Sequence, residues 1–154
     1  MQYLIDASVY VFRAHYSMPD DMVDDHGNPV NALYGFCRFL GDFMEQVQPQ
    51  HVAVLFDGSR AGSFRTEIYP AYKANREPAP PELKRQFAQC RRFVRALGVM
   101  ECAHERYEAD DLIGTLVSEG RKIGIPSTII SRDKDLTQLV SEEDVFGILP
   151  VKVK

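Results

Sequence analysis

Five short apolar runs punctuate the chain, and the stretches between them carry apolar residues three or four apart. Tyr3 to Asp6, Val52 to Gly58, Val99 to Cys102, Ser127 to Ser131 and Val145 to Leu149 read as strands. The run from Val52 is the clearest, because a continuous apolar stretch suits a strand covered on both faces. Helical spacing predicts one or two turns over Val9 to Tyr16. A longer helix is predicted behind an Asn28-Pro29 cap, with Val30, Leu33, Tyr34, Cys37, Leu40, Met44 and Val47 on one face and Pro49 at its end. A third runs from Glu82, with Leu83, Phe87, Cys90, Val94 and Leu97 inward and Gly98 closing it. A fourth covers Ala109 to Lys122, and a short one Leu136 to Val140. Pro19 to Asn28 is an acidic loop, Ser59 to Arg76 reads as irregular, and Pro78 to Pro81 break any helix there.

Strands alternating with helices predict an α/β domain: a mainly parallel sheet flanked by helices on both faces, spanning 1–154 as one unit. Ligands of such open sheets sit beyond the carboxyl ends of the strands. Asp6, Asp57 and Asp133 end strands, and Glu108, Asp110 and Asp111 lie where a further strand meets its helix, with Asp135 close behind Asp133. Taken alone, an acid in a first helical turn offsets the helix dipole, and an Asp after a strand forms a turn or cap. Seven acids from four elements at one edge exceed what turn chemistry requires.

Like charges crowded together must take up protons or bind a cation. Oxygen ligands without nearby His or Cys favour Mg²⁺ or Mn²⁺ over zinc. Two such ions about 4 Å apart can clamp a phosphodiester for hydrolysis, which needs positioned positive charge more than covalent chemistry.

The length of 154 residues, with 45% apolar and 26% charged, predicts one soluble globular domain with a real core. No run is long enough to span a membrane and no leader opens the chain, so a cytoplasmic location is expected. Three cysteines without CxxC spacing read as reduced thiols with no disulfide partner, and the four histidines lack zinc-ligand spacing. The formal charge of −4 conceals a division: residues 60–95 hold nine Lys or Arg against three Glu. There Arg65, Tyr69, Tyr72, Lys73 and Arg76 interleave aromatic and basic side chains, and Lys84 and Arg85 follow on the next helix. Lys73 and Arg76 could hold phosphate and a tyrosine could stack on an unpaired base. The alternative is tyrosines packing a loop base beside solvated cations.

The segments Leu4-Ile5-Asp6-Ala7-Ser8, Phe56-Asp57-Gly58, Tyr72-Lys73-Ala74-Asn75-Arg76, Glu108-Ala109-Asp110-Asp111 and Ser131-Arg132-Asp133-Lys134-Asp135-Leu136 occur in that order. Together they resemble the 5′–3′ exonuclease and flap endonuclease family, as in the amino-terminal domain of bacterial DNA polymerase I and stand-alone relatives. The match covers about residues 1–146, with none visible from Gly147 to Lys154, and Arg132 stands where glycine is common. The resemblance implies a PIN-like fold and Mg²⁺- or Mn²⁺-dependent hydrolysis of DNA at 5′ ends, flaps and junctions. It implies a first metal cluster of Asp6, Asp57, Glu108 and Asp110 with Asp111 adjacent, and part of a second in Asp133 and Asp135. Lys73 and Arg76 correspond to the family's basic pair at the scissile phosphate, beside Asp110 at the reacting centre. Relatives continue into a helical region with further aspartates and a helix–hairpin–helix element, so this chain is expected to bind a second metal and duplex weakly. A PIN-type ribonuclease and a non-catalytic DNA-junction binding domain are the alternatives.

Overall fold

A computed structural model of the chain describes residues 1–58, 63–75 and 77–147. The strands are β1 (Gln2–Asp6), β2 (Val52–Phe56), β3 (Met100–Ala103), β4 (Ser127–Ile130) and β5 (Val145–Gly147). They form one sheet in the order β3-β2-β1-β4-β5, with every neighbouring pair parallel. The helices are α1 (Ala7–Ser17), α2 (Asn31–Val47), α3 (Phe64–Ile68), α4 (Pro81–Ala96) and α5 (Ala109–Lys122), with a 3-10 helix over Lys134–Leu139.

Alternating strand side chains divide the core in two. Ile5, Val54 and Phe56 pack under α1, α2 and α4, against Tyr10, Phe36, Leu40, Leu83 and Val94. Leu4, Ala53, Leu55 and Ile129 pack under α5 and the 3-10 helix, against Ile113, Val117 and Leu136. Helices therefore cover both faces of the sheet, and each large side chain fully buried this way contributes about 1.5–3 kcal/mol. The strand order changes direction between β1 and β4, which opens the crevice at the carboxyl ends of those two strands.

Several elements differ from the sequence reading. α1 starts directly after Asp6 and is longer than predicted, because Ala7, Tyr10, Val11 and Ala14 give it a buried stripe. α2 begins at Asn31 instead of behind Asn28-Pro29. The Asp24 carboxylate accepts hydrogen bonds from the Asn28 N–H and side-chain amide, at 2.8–3.1 Å, committing Asn28 to the loop. The N–H of Leu33 is capped across the core by Gln86 Oε1 at 3.0 Å. The buried face of α2 is Ala32, Phe36, Phe39, Leu40 and Phe43, while Tyr34 is exposed. Pro81 opens α4, as suits a residue with no N–H to satisfy in a first turn, and buried Gln86 shares its inner face while Leu97 is exposed. α3 lies inside the stretch read as irregular. The last strand is described as far as Gly147; the expected extension to Leu149 falls outside the described residues.

No described helix is long and apolar enough to cross a membrane. The cysteines are free, and burial pushes the Cys37 thiol up to about 11.

Candidate metal centre and nucleic-acid interface

β1 delivers Asp6 to the crevice in a buried position, 4% exposed. Its Oδ2 accepts a 2.7 Å hydrogen bond from the Ser131 hydroxyl, at the end of β4. Ser131 Oγ in turn accepts from the N–H of Asp133 at 3.0 Å, and Asp133 Oδ1 accepts from the N–H of Asp135 at 2.9 Å. One hydroxyl thus links the acids of β1 and β4. On the other side Ser8, at the start of α1, accepts from the N–H of Asp57 at 3.3 Å and ties that residue to α1. Neither serine stood out as a site residue in the sequence; only their places within the motifs around Asp6 and Asp133 pointed to them.

Asp57 follows β2 and reaches over the start of α5, where its Oδ1 accepts the N–H of Ala109 at 2.9 Å. Such a carboxylate gains from the exposed donors and positive end of the helix. Close approach of the strand ends permits this: a Cβ on Gly58 would sit 1.8 Å from the carbonyl oxygen of His104. Glu108 is the residue just before α5, in extended conformation (φ −78°, ψ 167°), so its side chain leaves at a different angle from those of Asp110 and Asp111 in the first turn.

The acids sense one another. Burial first, then the charges of Asp57 and Asp110, raise the Asp6 carboxyl from an ordinary 3.8 to about 7, against the lowering effect of Ser131. Burial, followed by Asp57, Asp133 and Glu108, raises Asp110 to about 6. Asp6, Asp57, Glu108, Asp110 and Asp133 therefore form one electrostatic cluster. Asp135 lines with Asp110 and Asp111 a groove of about 860 Å³ between α5 and the 3-10 helix. Among the described residues, no group of three or more His, Cys, Asp or Glu side chains stands in place to hold a metal ion. The donor set still suits a hard divalent cation: every member is a carboxylate, and two of them are strained towards protonation by their neighbours.

The basic segment folds back onto these acids. Lys73 Nζ donates to both Glu108 oxygens, at 3.0 and 2.9 Å, and the Tyr72 hydroxyl donates to Glu108 Oε2 at 3.2 Å. Burial acts to lower the Lys73 pKa, but hydrogen bonds to Glu108 and Tyr72 outweigh it and the ammonium ends above its usual range. Arg65 makes a two-pronged pair with Asp111, at 2.5 and 2.7 Å, which holds the Asp111 carboxyl below its usual value. Tyr69 is exposed at the end of α3. Arg76 lies outside the described residues. Lys84 and Arg85 do not join the group: they ride on α4, against the opposite face of the sheet from α5. Lys84 is exposed there, and Arg85 binds the Pro29 carbonyl at 2.8 Å and Asp24 at 3.4 Å.

A parallel α/β sheet with carboxylates from four elements at its carboxyl edge, met by cations of one crossover, defines an α/β domain with an acidic centre at the switch point of its sheet. Residues 1–153 match the family model described as the 5′–3′ exonuclease, N-terminal resolvase-like domain, and the chain belongs to that family. It is 40% identical over 138 residues to DNA polymerase I of Bacillus caldotenax, covering 90% of this chain and 16% of the polymerase. It is also 40% identical to the Streptococcus pneumoniae enzyme, so the chain spans about one sixth of the length of these relatives. Among solved structures, a T5 protein co-crystallised with metal ions superposes with TM-score 0.72 at 16% identity, over 94% of this chain and 54% of that one. A bacteriophage T5 flap endonuclease in a pseudo-enzyme–product complex with DNA and metal ions gives TM-score 0.64 at 18% identity, over 94% and 53%. These two similarities establish the PIN-like fold.

Proposed function

We propose that this chain is a divalent-cation-dependent 5′ nuclease domain that hydrolyses phosphodiester bonds in DNA at 5′ ends and flaps. The observation that carries this reading is the convergence of Asp6, Asp57, Glu108, Asp110 and Asp133 beneath Lys73. Family membership supports it, as do the metal ions and DNA found with the T5 proteins. Asp6, Asp57, Glu108 and Asp110 would hold a first Mg²⁺ or Mn²⁺, and Asp133 and Asp135 would contribute to a second. A bound divalent ion supplies Lewis-acid charge to the phosphate and lowers the pKa of water.

The protein's own groups do the rest. Asp6 and Asp110, raised to about 7 and 6, release their protons as a cation arrives, so metal affinity rises with pH up to neutrality. Lys73 exchanges Glu108 for a non-bridging phosphate oxygen and steadies the charge that builds as water attacks phosphorus and the P–O bond to the leaving strand breaks. Arg76 offers a fork to the same phosphate, and Tyr69 and Tyr72 offer ring faces to unpaired bases. Incubating labelled flap, nicked and single-stranded substrates with Mg²⁺, Mn²⁺ or EDTA tests the assignment. Asp110→Asn should abolish flap cleavage, and undiminished cutting would remove Asp110 from the site.

One observation favours a second reading, a DNA-junction binding domain without catalysis: no ready set of three metal-ligating side chains exists among the described residues. Saturable flap binding with no cleavage in Mn²⁺ selects that alternative.

A further inference from the structure

We infer that Asp111 and Arg65 are positioning residues, a clasp that docks the basic segment on the start of α5 and sets Lys73 over Glu108. This inference rests on the nuclease reading above for its kinetic consequences, but its structural content is independent of it. It takes Asp111 out of the cation-binding set and Arg65 out of the DNA contacts.

Asp111 differs from its neighbour Asp110 in how its oxygens are used. Oδ1 accepts from Arg65 Nη2 at 2.7 Å, while Oδ2 accepts from Arg65 Nη1 at 2.5 Å and from the N–H of Glu108 at 3.0 Å. A carboxylate engaged by both prongs of a guanidinium and by a helix-terminal N–H has little left to offer a cation. Among the described residues Asp110 has no such partner, and it senses Asp57, Asp133, Glu108 and Lys73 instead.

Arg65 is equally committed. Its guanidinium carbon lies 4.9 Å from the Phe64 ring centroid and 5.9 Å from that of Tyr72, so the group sits between two aromatic rings while holding Asp111. Tyr72 passes the arrangement on, since its hydroxyl and the adjacent Lys73 ammonium meet on Glu108. Lys73 itself has φ 52°, a left-handed backbone that a non-glycine residue holds only when its surroundings impose it. The segment is also moored at its other end: the Phe64 N–H bonds the Arg106 carbonyl at 3.1 Å, Arg106 pairs with Glu67 at 2.8 Å, and the Phe64 and Tyr107 rings lie 5.4 Å apart. Six contacts from one crossover thus converge on residues 106–111, and the Arg65–Asp111 pair is the two-pronged one at their centre.

The test uses Asp111→Asn, Arg65→Gln and the double variant, each compared with wild type in three measurements. In flap cleavage, each single change is expected to lower kcat about 10- to 100-fold at saturating DNA, and the double variant to fall within about threefold of the worse single, because the pair acts as a unit. Half-saturating Mn²⁺ should shift by a similar factor in Asp111→Asn and Arg65→Gln, since both changes open the same clasp around Glu108, whereas loss of a cation ligand would raise it in Asp111→Asn alone. In DNA-free, metal-free protein, trypsin should cut after Lys73 several times faster in both single variants, read by mass spectrometry. A tenfold rise in half-saturating Mn²⁺ confined to Asp111→Asn would make it a ligand and overturn the inference. Losses that multiply in the double variant would overturn it too, as would an unchanged trypsin rate. If wild type cuts no substrate, the nuclease reading fails, and the trypsin rates alone then uphold or reject the clasp.

Discussion

Asp6 sits at the balance between stability and function. Its carboxyl is buried, faces Asp57 and Asp110, and has risen from 3.8 to about 7. Below pH 3.8 it is protonated folded or unfolded and has no effect on stability. Between those values only the unfolded chain gives up the proton, so stability falls as pH rises and the full cost is present above about 7. Asp6→Asn keeps an acceptor for the Ser131 hydroxyl while removing the charge. In EDTA at pH 8 we expect it to raise the melting temperature by roughly 3–8 °C, on the order of a few kcal/mol, and to abolish cleavage. At pH 4 the two melting curves should coincide; an equal gain at both pH values would mean that charge is not the cause. Lys73 belongs to the same scale. Lys73→Ala should lower kcat by about 100-fold or more while leaving the Mn²⁺ requirement within about twofold, because the side chain acts on phosphate and not on the cation. A shift in metal affinity alone would contradict that role.

At the level of elements, the site depends on how closely the ends of β2 and β3 approach. Gly58 lets the chain after Asp57 pass against the His104 carbonyl, where any Cβ would collide with backbone. Gly58→Ala is expected to cost about 2–4 kcal/mol in urea unfolding, by pushing apart the segments that carry Asp57 and Glu108. A loss under about 0.5 kcal/mol would show that these ends are further apart. Periodicity located α5 and four strands to within a residue or two, because each carries its own apolar pattern. It failed at the start of α2, where the cap comes from Gln86, fifty-three residues away. The start of α5 follows the same rule, with Asp57 accepting the Ala109 N–H from the end of another strand. Local pattern cannot report a hydrogen bond whose partner is distant in sequence.

On the scale of the whole molecule, two sets of carboxylates pull stability in opposite directions. Asp6 and Asp110 destabilise the metal-free protein as pH climbs from about 4 towards 7. Asp144 and Asp111 have lowered values and do the reverse: their contribution is present above the ordinary carboxylate range and is lost as pH falls below it. Asp144 is buried and, despite that burial, is held ionised by Arg121, Ser141 and the N–H of Ser127, joining α5 to β4 and the turn before β5. The melting temperature in EDTA should therefore peak near pH 4–5. With millimolar Mg²⁺ or Mn²⁺ the maximum should move to pH 7 or above, since a cation favours the ionised acids. A maximum that stays in place on adding metal would argue against cation binding by this cluster.

The order of strands and helices, the parallel sheet and the placing of acids after strands were all legible in the residues themselves, because alternation and spacing are properties of neighbouring positions. So was the family, from five separated motifs. The tertiary structure alone decided which acids share a cluster, which one is claimed by Arg65, that Ser131 bridges Asp6 to the Asp133 segment while Ser8 anchors Asp57, and that Arg85 braces a loop. Each of these is a contact between residues dozens of positions apart. Such contacts arise only when the sheet brings the carboxyl ends of its strands to one edge, and no feature of the linear chain records the distance between them.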